Sequence, residues 1–253
     1  MAWNPETYDR FKEERYAPFY DLSALVNKKP GMDVVDLGCG TGELTRKLAD
    51  MLPDARVLGI DSSPEMLERA AAFAGTRVRF ECRSIEEQTG SGQKWDLVFS
   101  NAALQWVDRH ETLFPALISD LRPGGQLLVQ MPAQHHNLTN RLLEALAGEE
   151  PFAGAIRQVR ISPLLEIDAY ARLFFEHGSR TVTAYEKIYP LVVKDTEALF
   201  TWVSGTALIP YLEQLQGEIR DLFIARYRDK LRENFNGPPV FYPFKRIILE
   251  ATF

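Results

Sequence analysis

The sequence predicts an α/β fold in which a mostly parallel sheet carries helices on both faces. Segments typical of strands alternate with segments typical of helices across residues 32–131, as in repeated strand–helix–strand units. The first two strand-like segments are continuous apolar runs, as expected for parallel strands covered on both sides. The first one leads into a loop with glycine at every second position, Gly38, Gly40 and Gly42, which is typical of nucleotide-binding folds.

In the first half, the elements are predicted from apolar runs, from the alternating residues 78–82 and from the residues that bound each segment. The five predicted strands cover residues 32–37, 56–61, 78–82, 95–100 and 126–131. A helix over 41–49 follows the glycines. Another starts at Ser62, Ser63 and Pro64, because serine caps helices and proline fits their first turn. A third helix covers 112–121, and the segment 122–125 (Arg-Pro-Gly-Gly) ends it and turns the chain into the fifth strand.

After Pro132 the pattern changes to longer helical segments. The predicted helices cover residues 135–147, 163–177 and 196–234, the last broken at Gly205, Pro210 and Gly217. Two further strands are expected over 180–193 and, beyond the break at Pro238 and Pro239, over 244–253. Because no internal repeat, low-complexity stretch or flexible linker separates the halves, the second half is expected to extend the same sheet.

Composition limits the classes of function. The chain has 253 residues, which is long enough for one α/β domain with a large core or for two small domains. Its 45% hydrophobic and 25% charged residues are typical of a globular protein. Its formal net charge of −6 gives no basic footprint for nucleic acid. No apolar run approaches the roughly 20 residues of a membrane span, and the first residues do not resemble a signal peptide. Cys39 and Cys82 have no metal spacing, so a reduced cytoplasm is expected.

The glycine loop indicates which ligands fit. Glycines at these positions let a ligand approach the backbone more closely than any Cβ would allow. A dinucleotide motif would place a third glycine at position 43, where this chain has Glu43. That carboxylate would lie beside the helix N-terminus that should bind a pyrophosphate. The loop therefore favours a ligand without phosphates.

Polar residues follow the other strands at the edge where α/β proteins bind ligands. Asp61 ends the second strand about 20 residues beyond the glycines, where an acid can bind two ribose hydroxyls. The alternative role for Asp61 is to cap the helix that follows it. Ser84 and Ile85 follow the third strand, and Asn101 follows the fourth.

At these motifs the chain resembles the class I S-adenosylmethionine-dependent methyltransferases. The motifs are residues 36–42 (Asp-Leu-Gly-Cys-Gly-Thr-Gly), 59–67 and 121–125. A second set is similar to one group of that family, the trans-aconitate 2-methyltransferases, and spans nearly the whole chain. This set comprises Trp3-Asn4-Pro5 with Tyr8, residues 101–106, Gln130-Met131-Pro132, Trp202-Val203 and residues 242–246.

The resemblance implies a Rossmann-like fold with a seven-stranded sheet and S-adenosylmethionine as the cofactor. In this family Asp36 would help to place the ammonium group through the loop, and Asp61 would bind the ribose. Ser84 and Ile85 would border the adenine, although many members have an acid where this chain has Ser84. Asn101 would lie near the transferred methyl. The implied cofactor-binding residues are Asp36, Gly38, Cys39, Gly40, Gly42, Asp61, Ser62, Met66, Ser84, Ile85 and Asn101.

The resemblance also implies one methyltransferase domain over 1–253. In it, residues 32–131 bind the cofactor, and residues 132–253 complete the sheet and add helices over the substrate site. The expected substrate is a small polycarboxylic acid, trans-aconitate, which would be converted to its monomethyl ester. A carboxylate is ionised at pH 7, so neither a general base nor a metal is expected, and no catalytic residue is assigned. The protein would act as a monomer.

The acid needs cationic and hydroxyl partners, and arginine matches a carboxylate best. The expected substrate-binding residues are Trp3, Tyr8, Gln105, Trp106 and Arg246. Arg157, Arg160, Tyr185, Tyr189 and Tyr211 are further candidates. Family members often have arginine where this chain has Ile209, so the exact acid stays open.

Several alternatives remain open. Another free acid or a carrier-bound carboxyl group is the nearest one, and a phenol or amine acceptor is weaker because it would need a base. Methylation of a nucleic-acid base is disfavoured, because residues 101–104 (Asn-Ala-Ala-Leu) lack a proline–aromatic clamp for a flipped base. A nicotinamide oxidoreductase is disfavoured by Glu43. A protein that binds the cofactor without catalysis would show the same motifs.

Overall fold

The computed structural model describes residues 12–157, 163–205 and 207–253. The strands are β1 (Asp33–Leu37), β2 (Arg56–Asp61), β3 (Val78–Cys82), β4 (Trp95–Asn101), β5 (Leu121–Pro132), β6 (Thr181–Val193) and β7 (Val240–Thr252). The first five α-helices are α1 (Lys12–Ala24), α2 (Glu43–Met51), α3 (Pro64–Ala70), α4 (Ile85–Thr89) and α5 (His110–Ser119). The others are α6 (Leu138–Ala147), α7 (Ile167–Glu176), α8 (Thr196–Ser204), α9 (Ile209–Leu212) and α10 (Gly217–Asn234).

The strands form one seven-stranded sheet in the order β3-β2-β1-β4-β5-β7-β6. The pairs β2–β3, β1–β2, β1–β4 and β4–β5 are parallel, whereas β5 and β7 are antiparallel. The predicted α/β class with a mostly parallel seven-stranded sheet is therefore confirmed. The strand order reverses at β1: β2 and β3 follow on one side of it, and β4 and β5 follow on the other. The loops after β1, β2 and β4 leave the sheet at one edge, where ligands bind in such folds.

The predicted bounds of β2 and β3 agree with the structure, but those of β5 were wrong. Residues 122–125 were expected to end a helix and form a turn, yet the helix ends at Ser119 and β5 already begins at Leu121. The reason lies at the far end of the chain. The Gly124 N–H donates to the Phe253 carbonyl at 2.6 Å, and the Phe253 N–H donates to the Gly125 carbonyl at 3.0 Å. These long-range bonds hold the Pro-Gly-Gly segment within β5 as an irregular stretch, in which Gly124 has a φ of +78° and the register with β4 shifts.

Other bounds also differ from the prediction. Helices α1 and α4 were not predicted, and α7 begins at Ile167 rather than at residue 163. The segment expected as one helix over 135–147 is a 3₁₀ turn followed by α6. Strand β7 begins at Val240, directly after the two prolines, rather than at residue 244.

The described chain forms two compact units. The sheet unit comprises residues 17–132, 163–187 and 246–253, and its core includes Val35, Leu37 and Phe99 on the central strands. The helical unit comprises residues 12–16, 133–157, 188–205 and 207–245. Its core joins apolar residues of α6, α8 and α10, including Leu143, Leu199 and Phe223. The expectation of a single domain over 1–253 stays a prediction.

None of the helices in the described residues combines the length and the hydropathy that a membrane-spanning segment requires.

Candidate functional site

The loop between β1 and α2 is held against the end of β2. The N–H groups of Gly38 and Cys39 both donate to the Ile60 carbonyl, each at 2.9 Å. The Gly42 N–H then donates to the Cys39 carbonyl at 3.1 Å and closes a tight turn. Together these bonds fix the backbone of the loop before α2 begins.

Glycine is needed in this loop for two different physical reasons. A Cβ on Gly38 would lie 2.2 Å from the Ala103 Cβ, and one on Gly42 would lie 2.7 Å from a ring carbon of Phe80. These two glycines are required because other parts of the sheet unit pack against them. Gly40 also has a positive φ of +54°, but a Cβ there would meet no described atom within 4 Å. Gly40 therefore borders open space that a ligand can occupy.

Asp61 links the loop after β1 to the start of α3. One carboxylate oxygen accepts the Gly40 N–H at 2.9 Å, and the other accepts the Ser63 N–H at 2.9 Å. The alternative prediction, that Asp61 itself caps the helix, is wrong because the N-cap of α3 is Ser63. The Ser63 hydroxyl accepts the Met66 N–H at 3.2 Å. Each carboxylate oxygen has a second lone pair. Asp61 can thus hold the loop and still accept hydrogen bonds from a ligand.

Asp36 lies under the loop rather than on its surface. It is buried, and its carboxylate accepts the Thr45 hydroxyl of α2 at 2.6 Å. Burial raises the pKa of Asp36 to about 6, and the neighbouring negative charge of Asp61 acts in the same direction. The side chain therefore ties α2 to β1, and any influence on a bound ammonium group would be electrostatic.

Two further residues complete the environment of the loop. Cys39 is buried, and burial together with the charges of Asp36 and Asp61 raises the pKa of its thiol well above the usual range. The Glu43 carboxylate lies in the first turn of α2, 3.8 Å from the Lys47 ammonium. The negative charge of Glu43 therefore lies at the N-terminus of α2, where it would repel a phosphate. This agrees with the expected preference for a ligand without phosphates.

Ser84, the expected neighbour of an adenine ring, is the N-cap of α4. Its hydroxyl accepts the Glu87 N–H at 3.1 Å, and the Glu87 carboxylate accepts the Ser84 N–H at 2.8 Å. This reciprocal pair is a capping box, which the Ser-x-x-Glu spacing could have revealed in the sequence. The N–H of the buried Ile85 is the first amide of the helix and lacks a partner within the helix ladder. Ile85 is the better backbone donor of the two.

The loop after β4 is tightly constrained. Ala102 adopts a left-handed conformation with φ of +59°, which costs a non-glycine residue roughly 1–2 kcal/mol. Its carbonyl accepts the Gln105 side-chain amide at 2.7 Å, and its N–H donates to the Gln130 carbonyl at 2.8 Å. Gln105 is buried, whereas Trp106 is 44% exposed. The two residues that were expected to face the substrate therefore differ: Gln105 shapes the loop and Trp106 lies at the surface.

A buried histidine supports this loop from beneath, and sequence reasoning missed it. The His110 Nε2 lies 3.0 Å from the Leu104 carbonyl, and its Nδ1 contacts the Tyr170 hydroxyl of α7. Since a carbonyl only accepts, Nε2 carries the proton and Nδ1 accepts from the hydroxyl. Burial lowers the pKa of His110, which favours the neutral ring. No sequence signal distinguished this histidine from a surface one.

Asn101 and Arg246 lie at the same edge of the sheet. Asn101 is in register with Gln130, and Pro132, two residues further along β5, is in register with Arg246. Arg246 is only 7% exposed and donates from its guanidinium to the Gln130 Oε1 at 3.0 Å. The Asn101 Oδ1 is buried and has no hydrogen-bond partner among the described residues. Gln130 was expected only as part of the motif Gln130-Met131-Pro132, without a role in the site.

The structure thus places most of the expected site residues of the sheet unit at one edge, at the ends of β1, β2 and β4 or on the segments that follow β1, β2 and β3. Ser62 and Met66 lie at the start of α3, with Ser62 exposed and Met66 half-buried. Trp3, Tyr8 and Arg160 lie outside the described residues, and Arg157 is exposed. The buried oxygen of Asn101, the open space at Gly40 and the spare lone pairs of Asp61 fit a cofactor with ammonium and hydroxyl donors.

Comparisons with known proteins agree with this geometry. The family described as "Methyltransferase domain" matches residues 34–125. A trans-aconitate 2-methyltransferase of Deinococcus radiodurans is 46% identical over 257 aligned positions, which cover 100% of this chain and 98% of that protein. A trans-aconitate 2-methyltransferase of Variovorax paradoxus is 37% identical, and the alignment covers 98% of this chain and 95% of that protein. The crystal structure of the YcgJ protein from Bacillus subtilis shares the fold, with a TM-score of 0.63, 17% identity and coverage of 94% and 98%.

Proposed function

The chain belongs to the trans-aconitate 2-methyltransferase family, and we propose that it methylates a carboxylate of trans-aconitate with S-adenosylmethionine as the methyl donor. The product is the monomethyl ester. The single observation that carries this proposal at the level of the site is the pairing of Gly40 with Asp61. Among the described residues, no atom lies within 4 Å of the place that a Cβ on that glycine would take, and a carboxylate with spare lone pairs holds its amide.

The residues of the sheet unit have distinct tasks toward the cofactor. Gly40 leaves room for it, Asp61 accepts hydrogen bonds from the ribose hydroxyls, and the Ile85 amide donates to the adenine. Asn101 offers its buried oxygen to the ammonium group, and Asp36 adds negative potential from below the loop. When bound, S-adenosylmethionine supplies an electrophilic methyl group on a sulfonium, which makes transfer to a carboxylate oxygen possible. The remaining cofactor contacts are Gly38, Cys39, Gly42, Ser62, Met66 and Ser84.

The protein has no proton to move in this reaction. A carboxylate oxygen forms a bond to the methyl carbon while the carbon–sulfur bond breaks, and the electron pair of that bond stays on sulfur. Charges of opposite sign disappear together, so a site that orients the carboxylate and excludes water favours the reaction. Holding the reacting groups in line can account for about 7–11 kcal/mol of the barrier.

Arg246 is the proposed partner of a carboxylate that does not react. It is buried at the edge of the sheet next to β5, within two register positions of Asn101. A guanidinium matches the two oxygens of a carboxylate and keeps its charge at any working pH. Gln105 shapes the neighbouring loop, and Trp106, Trp3 and Tyr8 are proposed to border the acid.

The deciding experiment incubates the purified protein with S-adenosylmethionine and single acids. Mass spectrometry then looks for a gain of one methylene in trans-aconitate, cis-aconitate, citrate, isocitrate and monocarboxylic acids. Ester formation on trans-aconitate with the highest kcat/KM supports the proposal. Preference for another acid would move the substrate to the nearest alternative, and no product with any acid would overturn the proposal. Calorimetry with S-adenosylmethionine and with NADH separates it from the oxidoreductase alternative.

We also propose that the protein works in the cytoplasm as a monomer. The free thiols of Cys39 and Cys82 fit a reducing compartment, and only Cys82 is exposed. Light scattering behind a sizing column measures the mass directly. A mass of about twice that of one chain would contradict the monomer.

A further inference from the structure

One buried side chain at the edge of the sheet is not accounted for by the fold or by the cofactor. Gln130 of β5 is fully buried and lies between β4 and β7, with Asn101 on one side and Ile248 on the other. Its side-chain oxygen accepts the Arg246 guanidinium at 3.0 Å. Its side-chain nitrogen is also buried and has no hydrogen-bond partner among the described residues.

The orientation of this carboxamide is determined by its arginine neighbour. A guanidinium has only donors, so it must face the oxygen of the amide and never its nitrogen. The nitrogen is therefore directed elsewhere, and it cannot exchange places with the oxygen without losing the bond to Arg246. A buried amide nitrogen with no partner destabilises a protein, and such groups in native structures call for an explanation. Two donors to a ligand of negative charge, one from each residue, provide that explanation.

The position of Gln130 in the sheet indicates which part of the bound molecules its nitrogen would contact. Gln130 is two strands away from β1 and its glycine loop, about 10 Å at the usual strand spacing. It is next to β7, which carries Arg246. The pair therefore lies on the side of Asn101 away from the glycine loop and from Asp61. A neutral amide donor beside a buried guanidinium matches a carboxylate better than any cation or ring.

We propose that Gln130 is a substrate-positioning residue, whose oxygen orients the Arg246 guanidinium and whose nitrogen donates to a non-reacting carboxylate of the acid. This inference rests on the proposed function, because it requires an acid substrate at this edge. Gln130 then supplies a second hydrogen-bond donor to the substrate carboxylate, besides Arg246. The two residues then hold one carboxylate from two directions, and the neighbouring carboxylate of the same molecule is directed to the methyl group.

The test replaces Gln130 by methionine, which has nearly the same volume but no amide, and by glutamate, which has nearly the same shape. Trans-aconitate is titrated by calorimetry into protein saturated with S-adenosylhomocysteine, which cannot transfer a methyl group. We expect Gln130→Met to weaken acid binding about 10- to 100-fold, as for loss of a hydrogen bond to a charged group. We expect Gln130→Glu to weaken it more, because its carboxylate pairs with Arg246 and repels the acid. Affinity for S-adenosylhomocysteine should stay unchanged in both.

A matched control exists on the same strand. Gln126 is also buried, but its amide nitrogen donates to the Leu25 carbonyl at 2.9 Å and to Glu250 at 3.0 Å, and its oxygen accepts the Asn27 N–H at 3.0 Å. Gln126→Met should lower the melting temperature and leave acid binding at the wild-type value. If Gln130→Met does not fold, the titration of Gln130→Glu decides the matter.

The possible failures are distinguishable. Wild-type protein that neither binds nor methylates any acid would overturn the proposed function, and the role of Gln130 with it. Wild-type protein that binds trans-aconitate, with both Gln130 variants binding it equally well, would overturn the role of Gln130 alone. An increased KM for the acid with an unchanged KM for S-adenosylmethionine would support it in turnover.

Discussion

The carboxylate of Asp61 accepts the Gly40 N–H at 2.9 Å, so the acid that ends β2 holds the loop that follows β1. The same carboxylate accepts the Ser63 N–H and so positions the N-cap of α3. One side chain thus joins three backbone segments at the edge of the sheet. Its structural role and its proposed role as a ribose acceptor use different lone pairs, so the two are compatible.

Replacing Asp61 should weaken cofactor binding strongly. Asp61→Ala removes the charged acceptor and releases the Gly40 amide, and we expect affinity for S-adenosylhomocysteine to fall about 100-fold or more by calorimetry. Asp61→Asn keeps an acceptor and should lose less. Asp50→Ala, which removes an exposed acid from the same unit, is the control and should bind as the wild type does. Equal affinities in Asp61→Ala and the wild type would remove Asp61 from the site.

Substitutions of the loop glycines should affect cofactor binding and protein stability to different extents. Gly40→Ala places its methyl in open space, so we expect a stability loss of only about 1–2 kcal/mol for the left-handed backbone, together with weak cofactor binding. Gly38→Ala must displace Ala103 and should destabilise the protein further. Denaturant unfolding measures the first quantity and calorimetry the second. A Gly40→Ala protein with wild-type affinity would show that the ligand lies elsewhere.

Asp36 should make the free protein less stable as the pH rises. Its pKa is about 6 in the folded state and 3.8 in the unfolded state, so the folded state binds more protons between these values. Stability therefore falls as pH rises from about 4 to 6 and stays low above that range. Asp36→Asn retains an acceptor for Thr45 and should be about 2–3 kcal/mol more stable than the wild type at pH 8. Urea unfolding at pH 5 and pH 8 tests this, and a variant less stable at pH 8 would contradict it.

His110 should act in the opposite sense. Its folded pKa is lowered by burial, so the unfolded state takes up a proton first as the pH falls. The stabilising contribution is complete above about pH 6.5 and is lost as the pH falls through the folded pKa. His110→Gln, which does not titrate, should show a smaller loss of stability between pH 7 and pH 5. Parallel curves for variant and wild type would show that the pKa of His110 is the same in the folded and unfolded states, which would contradict the prediction.

Arg246 should determine the affinity for the acid rather than for the cofactor. Arg246→Lys keeps the charge but loses the planar fork, and we expect the KM for trans-aconitate to rise about 10- to 100-fold. The KM for S-adenosylmethionine should change little. Steady-state kinetics with each substrate varied in turn separates the two. Unchanged acid kinetics would mean that another cation binds the carboxylate.

The sequence predicted those parts of the fold that depend on local patterns. An apolar run identified β2 to the residue, the alternating pattern of residues 78–82 identified β3 to the residue, and serine and proline located the start of α3. The bounds of β5 could not be predicted, because the Gly124–Phe253 pairing joins residues that are far apart in the chain. In the site, motif spacing pointed to Asp61. The role proposed for Gln130 depends on which atom of its amide faces Arg246, and the sequence does not contain that information.

The burial of Cys39 has a practical consequence for the study of the protein. Its thiol lies inside the glycine loop, where it is shielded and resists ionisation, so alkylating reagents do not find a thiolate there. The other cysteine, Cys82, is exposed at the end of β3, two residues before Ser84. A maleimide dye therefore attaches to one defined position in the native sequence. The unmodified protein carries its own attachment point for a fluorescent reporter beside the proposed adenine subsite.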